Sequence, residues 1–360
     1  MLPYYLIFFL LLLLALAEQL FKKLPFIFGA FIVFCLILLS GLRGDDVSRD
    51  YTNYTVMFDE TGSIKSYFIN YGTNLFFEPL FYITVSLFKS IFGEFYFPIF
   101  LFFACFGIAL KATGIFKFSP YPYLSLLLYF PSIFFLHDMT QIRIGLAGGI
   151  FLFLALPSLL KNNQRGKYIF YCLLATLFHY SCLLYLGLLF VNRISFNKKK
   201  YLLLLVFCLL ISILRIDFTH IIARMPFGAI SMKMDMYNSI LEFTEEVKVN
   251  IFNVLFVLKL IFGLMLLFVT KRFDDNNTIL FVKMYFISLC TFLFFSGTAM
   301  LAFRVSEVFG LIEFIVLVYL LKSFRLRVIP FGLLVMFACG YFFMALYITK
   351  YIQDYHTILW

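Results

Sequence analysis

The chain has 360 residues, is 63% hydrophobic and carries only 13% charged residues, with a mean hydropathy of +0.99. This excludes a soluble globular domain and fits a polytopic α-helical membrane protein. The net charge of +10 does not signal nucleic acid, because most basic residues fall in short connections between apolar runs, as positive-inside topology requires.

Apolar runs lie near 3–20, 26–42, 75–92, 95–112, 121–136, 144–160, 168–191, 201–215, 250–270, 279–302, 305–321 and 328–348. They are continuous, unlike the short alternating segments of a transmembrane barrel. Backbone polar groups in lipid must be satisfied within each segment, so the runs read as helices. The expected fold is all-α, with about 11–12 transmembrane helices in one domain over residues 1–360. Runs shorter than about 18 residues are expected to be broken or re-entrant. Residues 4–16 are an apolar run, and Ala15-Leu16-Ala17 at its end imitates a signal-peptidase site. No basic segment precedes the run and Lys22-Lys23 follow it, so it reads as an uncleaved first span.

Two polar stretches are long enough to fold outside the bilayer. Residues 43–78 carry three basic and six acidic side chains, and residues 216–249 carry three and five. The short connections are basic instead, for example Arg193 with Lys198-Lys199-Lys200. Both long loops are therefore expected outside the cell, the second as a candidate interfacial helix or an ordered loop. If the 75–92 run does not cross fully and the 168–191 run breaks near His179, then Arg143, His179 and Arg304 join the 43–54 segment on the external face. The seven cysteines (35, 105, 172, 182, 208, 290 and 339) are scattered through apolar runs. They read as small buried hydrophobes, with no structural metal site.

The stretch Arg43–Tyr54, RGDDVSRDYTNY, is a charged island between apolar runs. Arginine near a span is costly and faces a cavity or a partner. Its planar fork of donors suits a diphosphate at headgroup level, which makes Arg43, Arg143 and Arg304 candidates for that contact. Each could instead be a snorkelling or carboxylate-paired arginine, with Glu307 available to Arg304. Gly145, Gly148 and Gly149 after Arg143 leave room for a ligand or for a close helix. His179, deep in an apolar run, is the candidate base. Asp50 is a second candidate base or a helix cap. Tyr51 and Tyr54, three apart, share one helix face and are candidate sugar contacts. No nucleotide-binding pattern is present, so plausible substrates are lipid-linked and approached from the membrane.

These residues resemble a family. Arg43-Gly44 followed by Asp50-Tyr51-x-x-Tyr54 looks like the signature of EpsG-type, Wzy-like polymerases of bacterial surface polysaccharides. Glu78-Pro79-Leu80, Ile142-Arg143-x-x-x-Ala147, Phe178-His179-x-Ser181 and Arg304 are similar to the family's further landmarks, in the same order, over roughly residues 40–310. Ile144 stands where the family often has Gln.

The resemblance implies a multi-pass protein of the bacterial cytoplasmic membrane, without a cofactor. It would act outside the cell on undecaprenyl-diphosphate-linked repeat units, alongside a flippase and a chain-length regulator. The implied reaction is a metal-independent single displacement at the anomeric carbon. Arg143, Arg304 and Arg43 would hold the donor diphosphate, His179 or Asp50 would take the acceptor proton, and Tyr51, Tyr54 and Glu78 would contact substrate. A lipid-linked oligosaccharide flippase is one alternative. A membrane acyltransferase is another, kept open by His137-Asp138.

Overall fold

The structure is a computed structural model that describes residues 1–21, 24–69, 78–161, 163–216, 249–273 and 275–358. Among these residues it is predominantly helical, with isolated backbone bridges but no strand. Six helices are long and apolar enough to cross a membrane: Leu2–Phe21, Phe97–Phe118, Ile142–Leu160, Val254–Arg272, Asn276–Phe294 and Val328–Ile348. This is an all-α, multi-pass membrane architecture. The remaining apolar runs form shorter or interrupted helices. Most of the 216–249 loop, and residues 70–77 of the first loop, lie outside the described residues.

Chain contacts define two compact units. Unit 1 comprises Met1–Ile69, Glu78–Leu186 and Phe314–Trp360; unit 2 comprises Asn70–Phe77 and Gly187–Glu313. Unit 1 opens with α1 (Leu2–Phe21) and α2 (Phe26–Gly41), followed by α3 (Tyr51–Glu60) and α4 (Ile64–Ile69) in the first polar loop. Next come α5 (Pro79–Phe92), α6 (Phe97–Phe118) and α7 (Pro122–Tyr129), the last widening into a π-helix over Phe130–Thr140. The 142–160 span is α8 (Ile142–Ile150), a π turn and α9 (Leu156–Leu160). After α10 (Arg165–Thr176) the chain breaks at His179 and continues as a 3-10 helix over Tyr180–Gly187. The break expected near His179 is thus present. In α1 the buried positions Tyr4, Leu11, Ala15 and Glu18 form one helical face, while Leu6, Phe9 and Leu13 are exposed, as a lipid-facing surface requires.

Unit 2 holds α11 (Leu188–Arg193), α12 (Lys198–Ile213), α13 (Val254–Val269), α14 (Asn276–Phe294) and α15 (Ala299–Gly310). Side chains of Asn197, Asn253 and Asp275 accept backbone N–H bonds and cap α12, α13 and α14, satisfying donors that helix starts leave orphaned. The break expected between 302 and 305 falls earlier, at 295–298, where Ser296-Gly297-Thr298 interrupt the apolar pattern. Arg304 consequently sits inside α15 rather than between two helices. The chain closes with α16 (Glu313–Val316), α17 (Tyr319–Ser323) and α18 (Val328–Phe343), which ends in a π turn over Met344–Ile348.

Two features of unit 1 position the site. α5 has 14 residues, about 21 Å at 1.5 Å per residue and short of a roughly 30 Å hydrocarbon core. Phe81 and Phe88 stand about 10 Å apart along it. They nevertheless meet adjacent residues of α6, Phe103 at 5.7 Å and Phe102 at 5.1 Å. α5 therefore lies across α6 rather than beside it. The second feature is the close approach of α6 and α8. A Cβ on Gly145 would meet the His137 carbonyl at 2.8 Å, and one on Gly107 would meet the Gly145 backbone at 3.3 Å. The glycines after Arg143 serve a close helix.

Candidate functional site

The charged island is a turn held from several sides. Arg43 is 1% exposed. Its Nη1 donates to the Ser40 carbonyl, and its Nε donates to Ser48 Oγ at 3.1 Å. Its guanidinium lies over Phe100 at 4.6 Å and near the Tyr51 ring at 5.8 Å. Its Nη2 is buried with no hydrogen-bond partner. Burial lowers the guanidinium to about 10, opposed by Tyr51, Tyr54, Tyr4 and Tyr355, so the group stays charged at neutral pH.

The tail of the chain covers this turn. Gly44 N–H donates to the His356 carbonyl at 2.9 Å, Gln353 N–H to the Val47 carbonyl at 2.9 Å, and Ile358 N–H to the Leu42 carbonyl at 3.0 Å. Arg43 pairs antiparallel with Thr357, and Ser48 with Ile352. His356 Nε2 stands 3.2 Å from Asp45 Oδ1. Sequence reasoning missed this partnership, because backbone pairing over 300 positions leaves no local pattern. A Cβ on Gly44 would land in the His356 ring. Gly44→Val should therefore release the tail. Limited proteolysis read by mass spectrometry should show faster cleavage within 350–358; unchanged protection would refute the packing.

Asp50 occupies the N-cap position of α3, but its side chain makes no capping hydrogen bond. Tyr51, Tyr54 and Phe58 form the buried face of α3. Tyr51 stacks on Phe100 at 4.6 Å, and Tyr54 meets Phe81 and Phe100 edge-on at 6.0 and 6.4 Å. Burial, the largest influence, pushes the Tyr54 hydroxyl above its ordinary range, against the lowering effect of Arg143.

Three further predicted residues converge beside Tyr54. Glu78 is the N-cap of α5, with Pro79 at its first position. Arg143 opens α8, and Leu80 N–H bonds to the Leu177 carbonyl at 3.0 Å, holding the start of α5 against the His179 break. Glu78 is 1% exposed. Its Oε2 lies 2.5 Å from Arg143 Nη1, and its Oε1 lies 3.4 Å from His179 Nδ1. The second distance is longer than that of a close hydrogen bond. The Arg143 guanidinium lies 5.2 Å from the Phe81 ring and 5.7 Å from the Tyr54 ring, and its Nε is buried without a hydrogen-bond partner.

Arg43, Tyr51, Tyr54, Glu78, Arg143 and His179 thus form one connected cluster in unit 1, with Phe81 and Phe100 as its apolar links. Those phenylalanines could not be singled out among 53. Arg304 is exposed on α15 of unit 2. A carboxylate that carries a guanidinium on one oxygen and an imidazole on the other can fix both, and can set which imidazole nitrogen faces outward.

The His137-Asp138 pair has a different setting. Asp138 Oδ1 forms a buried ion pair with Lys111, and its Oδ2 accepts from the Tyr129 hydroxyl at 2.6 Å. Ser40 Oγ donates to the Asp138 carbonyl at 2.6 Å. Both carboxylate oxygens are therefore committed, Oδ1 to holding α6 against the π-helix and Oδ2 to the end of α7. Among the described residues, no group of three His, Cys, Asp or Glu side chains is placed to hold a metal ion.

A family model described as the EpsG family matches residues 26–359. No curated protein and no solved structure matches the chain.

Proposed function

The chain belongs to the EpsG family, and from that premise we propose that it polymerises undecaprenyl-diphosphate-linked repeat units into a bacterial surface polysaccharide. Membership supports a polysaccharide polymerase-like role. The observation that carries the finer reading is Glu78 shared between Arg143 and His179, beside the Tyr54 ring.

In the proposed reaction, a hydroxyl of the incoming repeat unit attacks the anomeric carbon of the donor glycan. The new C–O bond forms as the bond from that carbon to the lipid diphosphate breaks, and the diphosphate leaves with the electron pair. Glu78 faces His179 Nδ1, which leaves Nε2 to accept the hydroxyl proton as general base. Arg143, held through Nη1, directs its remaining donors at the diphosphate and stabilises the charge that develops there. Tyr54 and Tyr51 shape the sugar side, and Arg43 orders the turn behind them. Glu78 becomes a positioning residue rather than a substrate contact, since both its oxygens face protein groups. The commitment of Asp138 to Lys111 and Tyr129 favours the polymerase reading over an acyltransferase that would use His137-Asp138.

The test is reconstitution. Purified protein is mixed in detergent with its lipid-linked repeat unit, without nucleotide, and the lipid-linked products are sized. A ladder of multiples from wild type, lost in His179→Ala, is the expected outcome. No ladder from folded wild-type protein overturns the reading, and a full ladder from His179→Ala overturns the base assignment.

A further inference from the structure

An open groove of about 760 Å³ lies in unit 1 between the end of α3, the α3–α4 turn and the second half of α5. That volume lies within the roughly 300–1,000 Å³ typical of ligand sites. Its lining includes Asp59, Glu60, Ser63, Ser86, Lys89 and Ser90. Hydroxyls, carboxylates and ammonium groups alternate around it, and no single sign of charge dominates. A phosphate would meet two carboxylates there, and the carbon surface between the polar groups suits the apolar face of a sugar ring. Groups that both donate and accept, as sugar hydroxyls do, match such a lining on every side.

Ser86 shows that the groove is more than a surface dent. Helical serines and threonines commonly bond back to a carbonyl in the preceding turn. On α5, Thr84 does so to Leu80 at 2.6 Å and Ser90 to Leu87 at 2.7 Å. Ser86 is 6% exposed, lines the groove, and has no hydrogen-bond partner among the described residues. A hydroxyl on the lining with no protein partner is open to a ligand that displaces water. The surrounding groups are fixed in advance. Lys89 Nζ is held by the carbonyls of Phe58 and Asp59 at 3.2 and 3.1 Å, and one oxygen of Asp59 accepts from the Tyr96 hydroxyl at 2.9 Å. Fixed donors and acceptors cost little ordering entropy on binding.

Position gives the groove a use. Ser86 and Lys89 follow Glu78 by eight and eleven residues on the same helix, about 12 and 16 Å along its axis. That separation matches a short oligosaccharide with one end at His179 rather than a single sugar.

We propose that this groove is a glycan subsite, which holds the saccharide several sugars away from the reacting end. The inference rests on the polymerase reading, but its test is separable. The probe is a set of short oligosaccharides released by mild acid from the producing strain's surface polysaccharide, free of lipid. Binding to full-length protein in detergent is followed by saturation-transfer NMR, with maltohexaose as the unrelated control. Ser86→Val removes the open hydroxyl, and Ser90→Trp fills the exposed rim without touching buried packing. Each should weaken oligosaccharide binding by roughly tenfold or more, as the loss of hydrogen bonds and space in one subsite allows. Arg143→Ala should leave this binding in place. If folded Ser90→Trp binds the oligosaccharides as wild type does, the groove is not the subsite. If wild type forms polymer yet binds no oligosaccharide, the proposal also fails. If wild type binds the oligosaccharides, loses them in Ser90→Trp and makes no polymer, the groove stands and the polymerase reading falls.

Discussion

Glu78→Gln should lower polymer formation by ~10²–10⁴-fold, about the full contribution of a positioned general base, while leaving the fold intact. The change keeps size and shape. It turns one oxygen into an amide NH₂, which then faces either the Arg143 Nη1 group now at 2.5 Å or His179 Nδ1 at 3.4 Å. A donor set against a donor loses the contact and adds repulsion. The lost charge also removes the preference for the His179 tautomer whose Nε2 can accept a proton. His179→Ala should cost a similar factor. The double variant should be little worse than either alone, because residues acting as a unit are non-additive. Initial rates of ladder formation in the reconstituted assay measure this. Wild-type rates from Glu78→Gln would refute the shared-carboxylate assignment, and a double variant showing the product of both losses would mean the two residues act separately.

The second large effect falls on stability. Lys111 and Asp138 form an ion pair in which both side chains are almost wholly buried. Breaking one side leaves an uncompensated buried charge, at a cost of about 3–5 kcal/mol. Lys111→Met and Asp138→Ala should each reduce folded, monodisperse protein and lower the unfolding midpoint in detergent sharply. A variant carrying both changes should recover part of the loss, because neither charge then remains. Fluorescence-detected size exclusion after a temperature series reads this directly. A double variant no better than the singles would place the damage in the lost Tyr129 bond to Asp138 and the lost Lys111 bond to the Gly107 carbonyl instead of the charge. Activity is a second readout: Ser40 joins Asp138 and Arg43 at the same end of α2, so loosening the ion pair should also disturb the motif turn.

Composition alone settled the membrane setting, because a chain this apolar cannot remain in water and its continuous apolar runs can cross lipid only as helices. The ordered motifs from Arg43 to Arg304 were enough to reveal the family, since their ionisable members are costly in or near a bilayer and unlikely to recur by chance in that order. The break at His179 was legible from a charge-bias conflict that a partly crossing 75–92 run together with an interrupted 168–191 run resolves. Three relations were not legible. Glu78 lies 65 positions from Arg143, yet both open helices at one point. Lys111 reads as a stray cation in an apolar run until the π-helix over Phe130–Thr140 brings Asp138 against it. The tail from 350 to 358 carries no motif and acts through backbone bonds that any residues could make. Residue type and local period determine whether a segment is helical and buried, because those depend on the segment's own side chains. Which charges neutralise one another, and whether an arginine holds substrate or protein, depends on the distances between segments, and only the folded chain sets those.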